Sequence, residues 1–153
     1  MVTARWPFIL RKDMENKKIK YIIDDKFSIK IYCINDYVKE EYYASNFMEK
    51  FLMKKYFDYK KYLHEINRKL GYYKRVPIYV DDNLFFVPIF SDGKKIFLNY
   101  GSVVEVYYNY GLVTFFFEDK TSLCIPYKVK TFHQLVIRIK EIEKYMKNKK
   151  IIK

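Results

Sequence analysis

The stretch KRVPIYVDDNLFFVPIFSDG, residues 74–93, decides how the chain is read. Its apolar runs VPIYV and LFFVPIF are parted by Asp81-Asp82-Asn83, and Ser91-Asp92-Gly93 closes the second, a pattern of two β-strands and their turns. Pro77 and Pro88 lack an N–H for the ladder, so they are expected where a strand is capped, kinked or left at an edge. Phe85 and Phe86 are expected on opposite sides of their strand, with core as the default for both.

Working outward, the same alternation continues through KIFLN, VVEVYYN, LVTFFFE and SLCIP, each bounded by polar or Gly-containing clusters. Short β-runs punctuated this way describe an antiparallel meander. Upstream, KIKYII and FSIKIYCI, joined by Asp24-Asp25-Lys26, predict a hairpin over 19–34. Between hairpin and meander the period changes to 3.6. Met48, Phe51, Leu52, Tyr56, Tyr59, Leu63, Ile66 and Leu70 fall on one side of a helical projection. The pattern predicts one long helix over 46–70, started by an Asn46/Glu49 capping box and stopped by Gly71. A second capping box, Thr131 with Gln134, precedes the stripe Leu135, Val136, Ile139, Ile142 and Met146 of a closing helix.

The expected fold class is α+β: an antiparallel β-meander of roughly six to eight strands, a long amphipathic helix inserted after an N-terminal hairpin, and a C-terminal amphipathic helix. Residues 1–18 read as an N-terminal arm, with Met14 as an alternative start, 19–147 as a single domain, and 148–153 as a basic tail that frays.

Aromatic residues make up 20% of the 153-residue chain, enough apolar surface to build a core. A formal net charge of +12 attracts polyanions, either nucleic acid or an anionic membrane surface. That charge is segregated. Residues 46–75 carry net +6 and residues 128–153 net +7, while 76–127 carry net −3. On the expected long helix, Lys50, Lys54, Lys61 and Arg68 form a stripe that suits a phosphate backbone or, equally, a solvated face.

Several chemistries find no support. Cys33 and Cys124, 91 positions apart in apolar runs, read as buried thiols. His64 and His133 have no ligand-spaced neighbours, so no metal is expected. There is no glycine-rich phosphate loop and no G-x-S-x-G elbow, and Asp24-Asp25 and Asp81-Asp82 fall in turns; the expectation is a non-enzyme without cofactors. No apolar run reaches the ~20 residues that span a bilayer, so a cytoplasmic location is expected.

Read as blocks, NRKLGYYKRVPIYV at 67–80 and NLFFVPIFSD at 83–92 resemble the competence transcription factor family, ComK, of low-GC Gram-positive bacteria. Arg75, Pro77-Ile78, Phe85, Phe86, Pro88 and Ser91 hold the matching places. Phe97-Leu98-Asn99, Val113-Thr114-Phe115, Thr131-Phe132, Gln134 and Arg138 are similar in order to the family's later blocks. The likeness covers about residues 60–140. Val76, Ile89 and Phe97 depart from the usual proline, threonine and tryptophan. The family's C-terminal extension, associated with activation and adaptor-directed proteolysis, is expected to be absent.

The resemblance implies a transcriptional activator that oligomerises on double-stranded AT-rich DNA and enters the minor groove, where Lys and Arg suit the concentrated negative potential. It also implies a homo-oligomer and, as a further partner, a proteolytic adaptor. Block order and charge together make Arg75 and Lys74 the first candidate contacts, then Arg68 and Lys69, then Lys50, Lys54 and Lys61, with Arg138 on the closing helix. Two alternatives stand beside this one: a pleckstrin-homology-like module for a lipid headgroup or peptide, and a degenerate family member acting only through protein interaction.

Overall fold

A computed structural model describes residues 18–25, 28–40 and 47–152, with the backbone alone at 36–40, 54–55 and 150–152. Residues 1–17 of the N-terminal arm and Asn46 of the first capping box lie outside the described residues, as does the side chain of Lys54.

The meander forms because its turns are built for hairpins. Asp92 and Gly93 both have positive φ, 51° and 74°, and Tyr110 and Gly111 repeat the pattern at 47° and 80°. Two consecutive left-handed residues make the turn whose twist matches the flanking strands. Such turns join β5 (Leu84–Ser91) to β6 (Lys94–Asn99) and β7 (Val103–Asn109) to β8 (Leu112–Phe117); β4 (Ile78–Asp81) precedes β5 across Asp82-Asn83, and β9 (Ser122–Pro126) follows β8 through a turn with Lys120 at φ 69°. Upstream lie β1 (Ile19–Asp24), β2 (Ile29–Cys33) and β3 (Asp36–Glu40). All observed pairings are antiparallel.

The α+β class is as the sequence predicts, with nine strands among the described residues. They divide into a six-stranded sheet in the order β3-β2-β1-β6-β5-β4 and a three-stranded sheet β7-β8-β9. The N-terminal meander joins the larger sheet through β1 against β6, from Tyr21 opposite Leu98 to Asp24 opposite Lys95.

The expected helix over 46–70 is two helices, α1 (Phe47–Lys55) and α2 (Tyr59–Leu70). The Leu52 carbonyl accepts from both Tyr56 and Phe57 N–H, which ends α1. The Asp58 carboxylate then accepts from the backbone N–H of Lys60 and Lys61, starting α2. An Asp in extended conformation is a strong N-cap, and here it overrides a periodicity that runs through it. Gly71 ends α2 as expected, with φ 82° and its N–H on the Asn67 carbonyl.

Helix α3 spans Val129–Ile152. Thr131 and Gln134 therefore sit within its first turns rather than flanking its start, and the described part of the tail expected to fray, 148–152, is helical. Lys149 bonds Glu65 of α2 at 2.7 and 2.8 Å, and the Tyr145 hydroxyl donates to the same carboxylate at 2.5 Å. These bonds hold the Glu65 carboxyl below its ordinary pKa.

Strand alternation explains the layering. Phe86 of β5 meets Phe51 of α1 edge-on at 6.2 Å, so α1 covers one face of the large sheet. Val87, the next residue, points the other way, towards Phe115 of β8 and Leu135 of α3. Phe85 and Phe86 are both buried, as expected. Cys33 is buried too, but Cys124 is exposed, because Ile125 takes the inward phase of β9 and leaves its neighbour outside.

Two polar devices lock the layers. Asn99 is fully buried, and its side chain bonds backbone groups of Ile19, Asn83, Phe85 and Gly101, tying β1 and β5 to the end of β6. Lys20 of β1 pairs with Asp119 in the β8–β9 turn at 3.0 Å, joining the sheets across side chains only 9% and 2% exposed. Burial works against the Asp119 charge, but N–H and O–H donors from Asn35 and Thr121, with Lys20, hold its carboxyl well below the usual range.

Candidate nucleic-acid interface

The segment between α2 and β4 positions the first cations. Tyr62 of α2 fixes its far end, donating to the Pro77 carbonyl at 2.6 Å and accepting from Tyr79 N–H at 3.1 Å. Burial pushes the Tyr62 phenol well up, so it remains a donor. Within this anchored segment Arg75 has φ 51°, a left-handed backbone for a long side chain and outside any hairpin turn. Such a conformation costs on the order of 1–2 kcal/mol and persists only where its surroundings enforce it.

The strained backbone directs the Arg75 guanidinium over the ring of Phe90, 4.5 Å from its centroid. Phe90 is 47% exposed, on the outer end of β5. Lys95, opposite Phe90 across the hairpin, reaches the same ring at 5.5 Å. From α3, Arg138 lies over Tyr72 at 4.6 Å and donates from Nη1 to the Lys74 carbonyl at 2.8 Å. The Lys74 ammonium is 5.7 Å from the Tyr73 ring centre.

These elements enclose a groove of about 290 Å³, with Lys74 and Arg75 on one side, Pro88 and Tyr127 at the walls, and Thr131, Gln134, Leu135 and Arg138 presented by α3. Room for it exists because β4 pairs with β5 only as far as Phe86. Pro88 lies on the stretch that β4 leaves unpaired, where a residue without an N–H adds no orphan donor.

Lys74, Arg75, Lys95 and Arg138 make no ion pair with any carboxylate among the described residues. The Tyr127 phenol is pushed up by burial, while nearby Arg75 pulls the other way. Guanidinium groups lying on aromatic faces keep their in-plane N–H donors available, the geometry that suits phosphate oxygens. Two guanidinium groups, Arg75 and Arg138, and the Lys74 ammonium line the groove, and Lys95 reaches the Phe90 ring that Arg75 covers.

Of the candidates from sequence, the structure brings together Arg75, Lys74 and Arg138. Arg68 and Lys69 are exposed in the last turn of α2, where cations complement the helix dipole, and do not line the groove. Lys50 and Lys61 are exposed on α1 and α2 respectively, and Lys54 also belongs to α1. The stripe drawn through Lys50, Lys54, Lys61 and Arg68 assumed one continuous helix; the break at Tyr56–Asp58 removes the straight line.

Lys95, Phe90 and Tyr127 were not among the candidates. Lys95 was legible in principle, because a two-residue turn at Asp92-Gly93 sets Ser91 against Lys94 and Phe90 against Lys95. Tyr127 was not, since it meets Pro88 of β5 at the groove from 39 positions away along the chain.

Among the described residues no group of three or more His, Cys, Asp or Glu side chains could hold a metal ion, and no helix is long and apolar enough to cross a membrane. No protein-family model, curated protein or solved structure matches the chain.

Proposed function

We propose that this chain is a non-enzymatic DNA-binding transcriptional regulator, similar in kind to the competence activators, that takes double-stranded AT-rich DNA against the groove beside Arg75. One observation supports the reading most: Arg75, Pro88, Thr131, Gln134 and Arg138, from sequence blocks up to 63 positions apart, line a single groove whose cations lack carboxylate partners. Arg75 and Arg138 are the candidates for the minor groove, with Lys74 and Lys95 on the flanking phosphates. Arg68 and Lys69 extend the positive field. Such a regulator works in the cytoplasm as a homo-oligomer.

The test is a titration of purified protein against AT-rich and GC-rich duplexes at several salt concentrations, with anionic vesicles in parallel. The regulator binds the AT-rich duplex more tightly at every salt level. Equal affinity for both duplexes sinks the reading, because counterion release is indifferent to sequence. Vesicle binding without duplex binding transfers the groove to a lipid headgroup.

Arg75 separates contact from strain. Arg75→Ala is expected to weaken AT-rich binding by about 1–3 kcal/mol. Arg75→Gly loses the same affinity while folding stability holds or rises, since glycine adopts φ 51° without penalty. If Arg75→Gly binds DNA as tightly as the parent, Arg75 is no contact.

A further inference from the structure

A second cavity, also of about 290 Å³, lies between α3 and the two sheets. Val87 and Leu98 of the large sheet, Val106 and Phe115 of the small one, and Leu135 and Val136 of α3 form most of its lining. Protein interiors hold few voids larger than one water molecule. A closed apolar cavity of about 150 Å³ is enough to bind benzene, and this one has about twice that space.

The lining chemistry selects the occupant. Among the described residues no charged side chain lines the cavity, so an ion entering it would give up hydration without compensation. Among the described residues its side-chain polar groups are two phenols, Tyr100 and Tyr108, and Tyr108 already donates to the Tyr127 carbonyl at 3.2 Å. Ordered water needs 2–4 polar partners, which such a lining does not supply. Tyr108 stacks on Phe132 at 5.7 Å and 14°, and both rings are half-buried, as are Val106 and Val136. The cavity thus has an aromatic wall and an opening between β7 and α3.

We propose that this cavity is a binding site for a small, uncharged, mainly apolar ring compound, of single-ring or fused-ring size. The site is separate from the basic groove and does not depend on what the groove binds.

Methyl-detected NMR on the full chain tests it, with indole as the neutral probe and benzoate as a charged ring of similar size. Indole is expected to give saturable shifts confined to the methyls of Val87, Leu98, Val106, Leu135, Val136 and Ile139, with benzoate at least about tenfold weaker. Val136→Phe, which fills the space from the α3 side, is expected to weaken indole about tenfold or more; Val106→Phe fills it from the β7 side should the first variant fail to fold. Indole shifts that do not saturate, that map elsewhere, or that benzoate matches would overturn the proposal, as would undiminished binding in a folded filled variant.

Discussion

Replacing Asn99 by leucine removes four hydrogen bonds without leaving a large void. The Asn99 Oδ1 accepts from Phe85 N–H at 2.9 Å and Gly101 N–H at 3.1 Å, and Nδ2 donates to the carbonyls of Ile19 at 2.7 Å and Asn83 at 3.0 Å. Each bond contributes about 1 kcal/mol net, and a buried partner left unmatched costs about 1–3 kcal/mol. Phe85 N–H is buried in β5 with nowhere else to turn, whereas the Gly101 and Asn83 groups lie nearer water. The expected loss is therefore about 3–5 kcal/mol, a large share of the 5–15 kcal/mol that typically holds a domain folded. With a urea slope of about 2 kcal/mol per M, the unfolding midpoint followed by far-UV circular dichroism falls by about 2 M at unchanged slope. A fall below about 0.5 M would mean these bonds do not act as the junction of β1, β5 and β6.

Other perturbations follow from the same framework. Gly101→Ala places a Cβ 2.7 Å from the backbone of Asp82 and Asn83, where no flexible side chain can yield; a loss of about 1–3 kcal/mol is expected in the same urea assay, and a neutral result refutes the close approach. Asp119 titrates below its unfolded value, so its stabilising contribution is complete above the ordinary aspartate pKa of about 3.9 and is lost as pH falls towards the folded value. The stability gap between the parent and Asp119→Asn should accordingly be widest near pH 7 and narrow below pH ~4; a gap independent of pH would remove the ionised carboxylate from the argument. Cys124 should react with a thiol reagent in the native protein while Cys33 waits for unfolding, and simultaneous labelling would contradict the phase of β9.

Much of the secondary structure was legible because alternation and turn chemistry are local. The β5–β6 and β7–β8 hairpins, the stop at Gly71 and the closing helix each follow from neighbouring residues. The α1–α2 break was written there too, in Asp58, but one competent N-cap is easily outweighed on paper by eight apolar residues in phase. Structure settles the matter because the cap satisfies real N–H groups. Strand β3 is short and sits at the outer edge of the large sheet, and the period-2 signal that identified its neighbours is weak there.

The candidate groove divides the same way. Charge segregation alone put Lys74, Arg75 and Arg138 among basic segments, and the hairpin register placed Lys95 opposite Phe90. That Arg75 sits over Phe90 of β5 in a left-handed backbone, and that Arg138 of α3 reaches the Lys74 carbonyl 64 positions away, are contacts between segments that carry no local signal. By itself the sequence determined most of the strands, the hairpin turns, the stop at Gly71 and the sign of the charge, since each rests on torsional preference or composition within a few residues. Tertiary structure alone decided the sheet order, the role of Asn99 as a junction, and the convergence of cations on one groove, because those rest on contacts between segments whose separation along the chain carries no local signal.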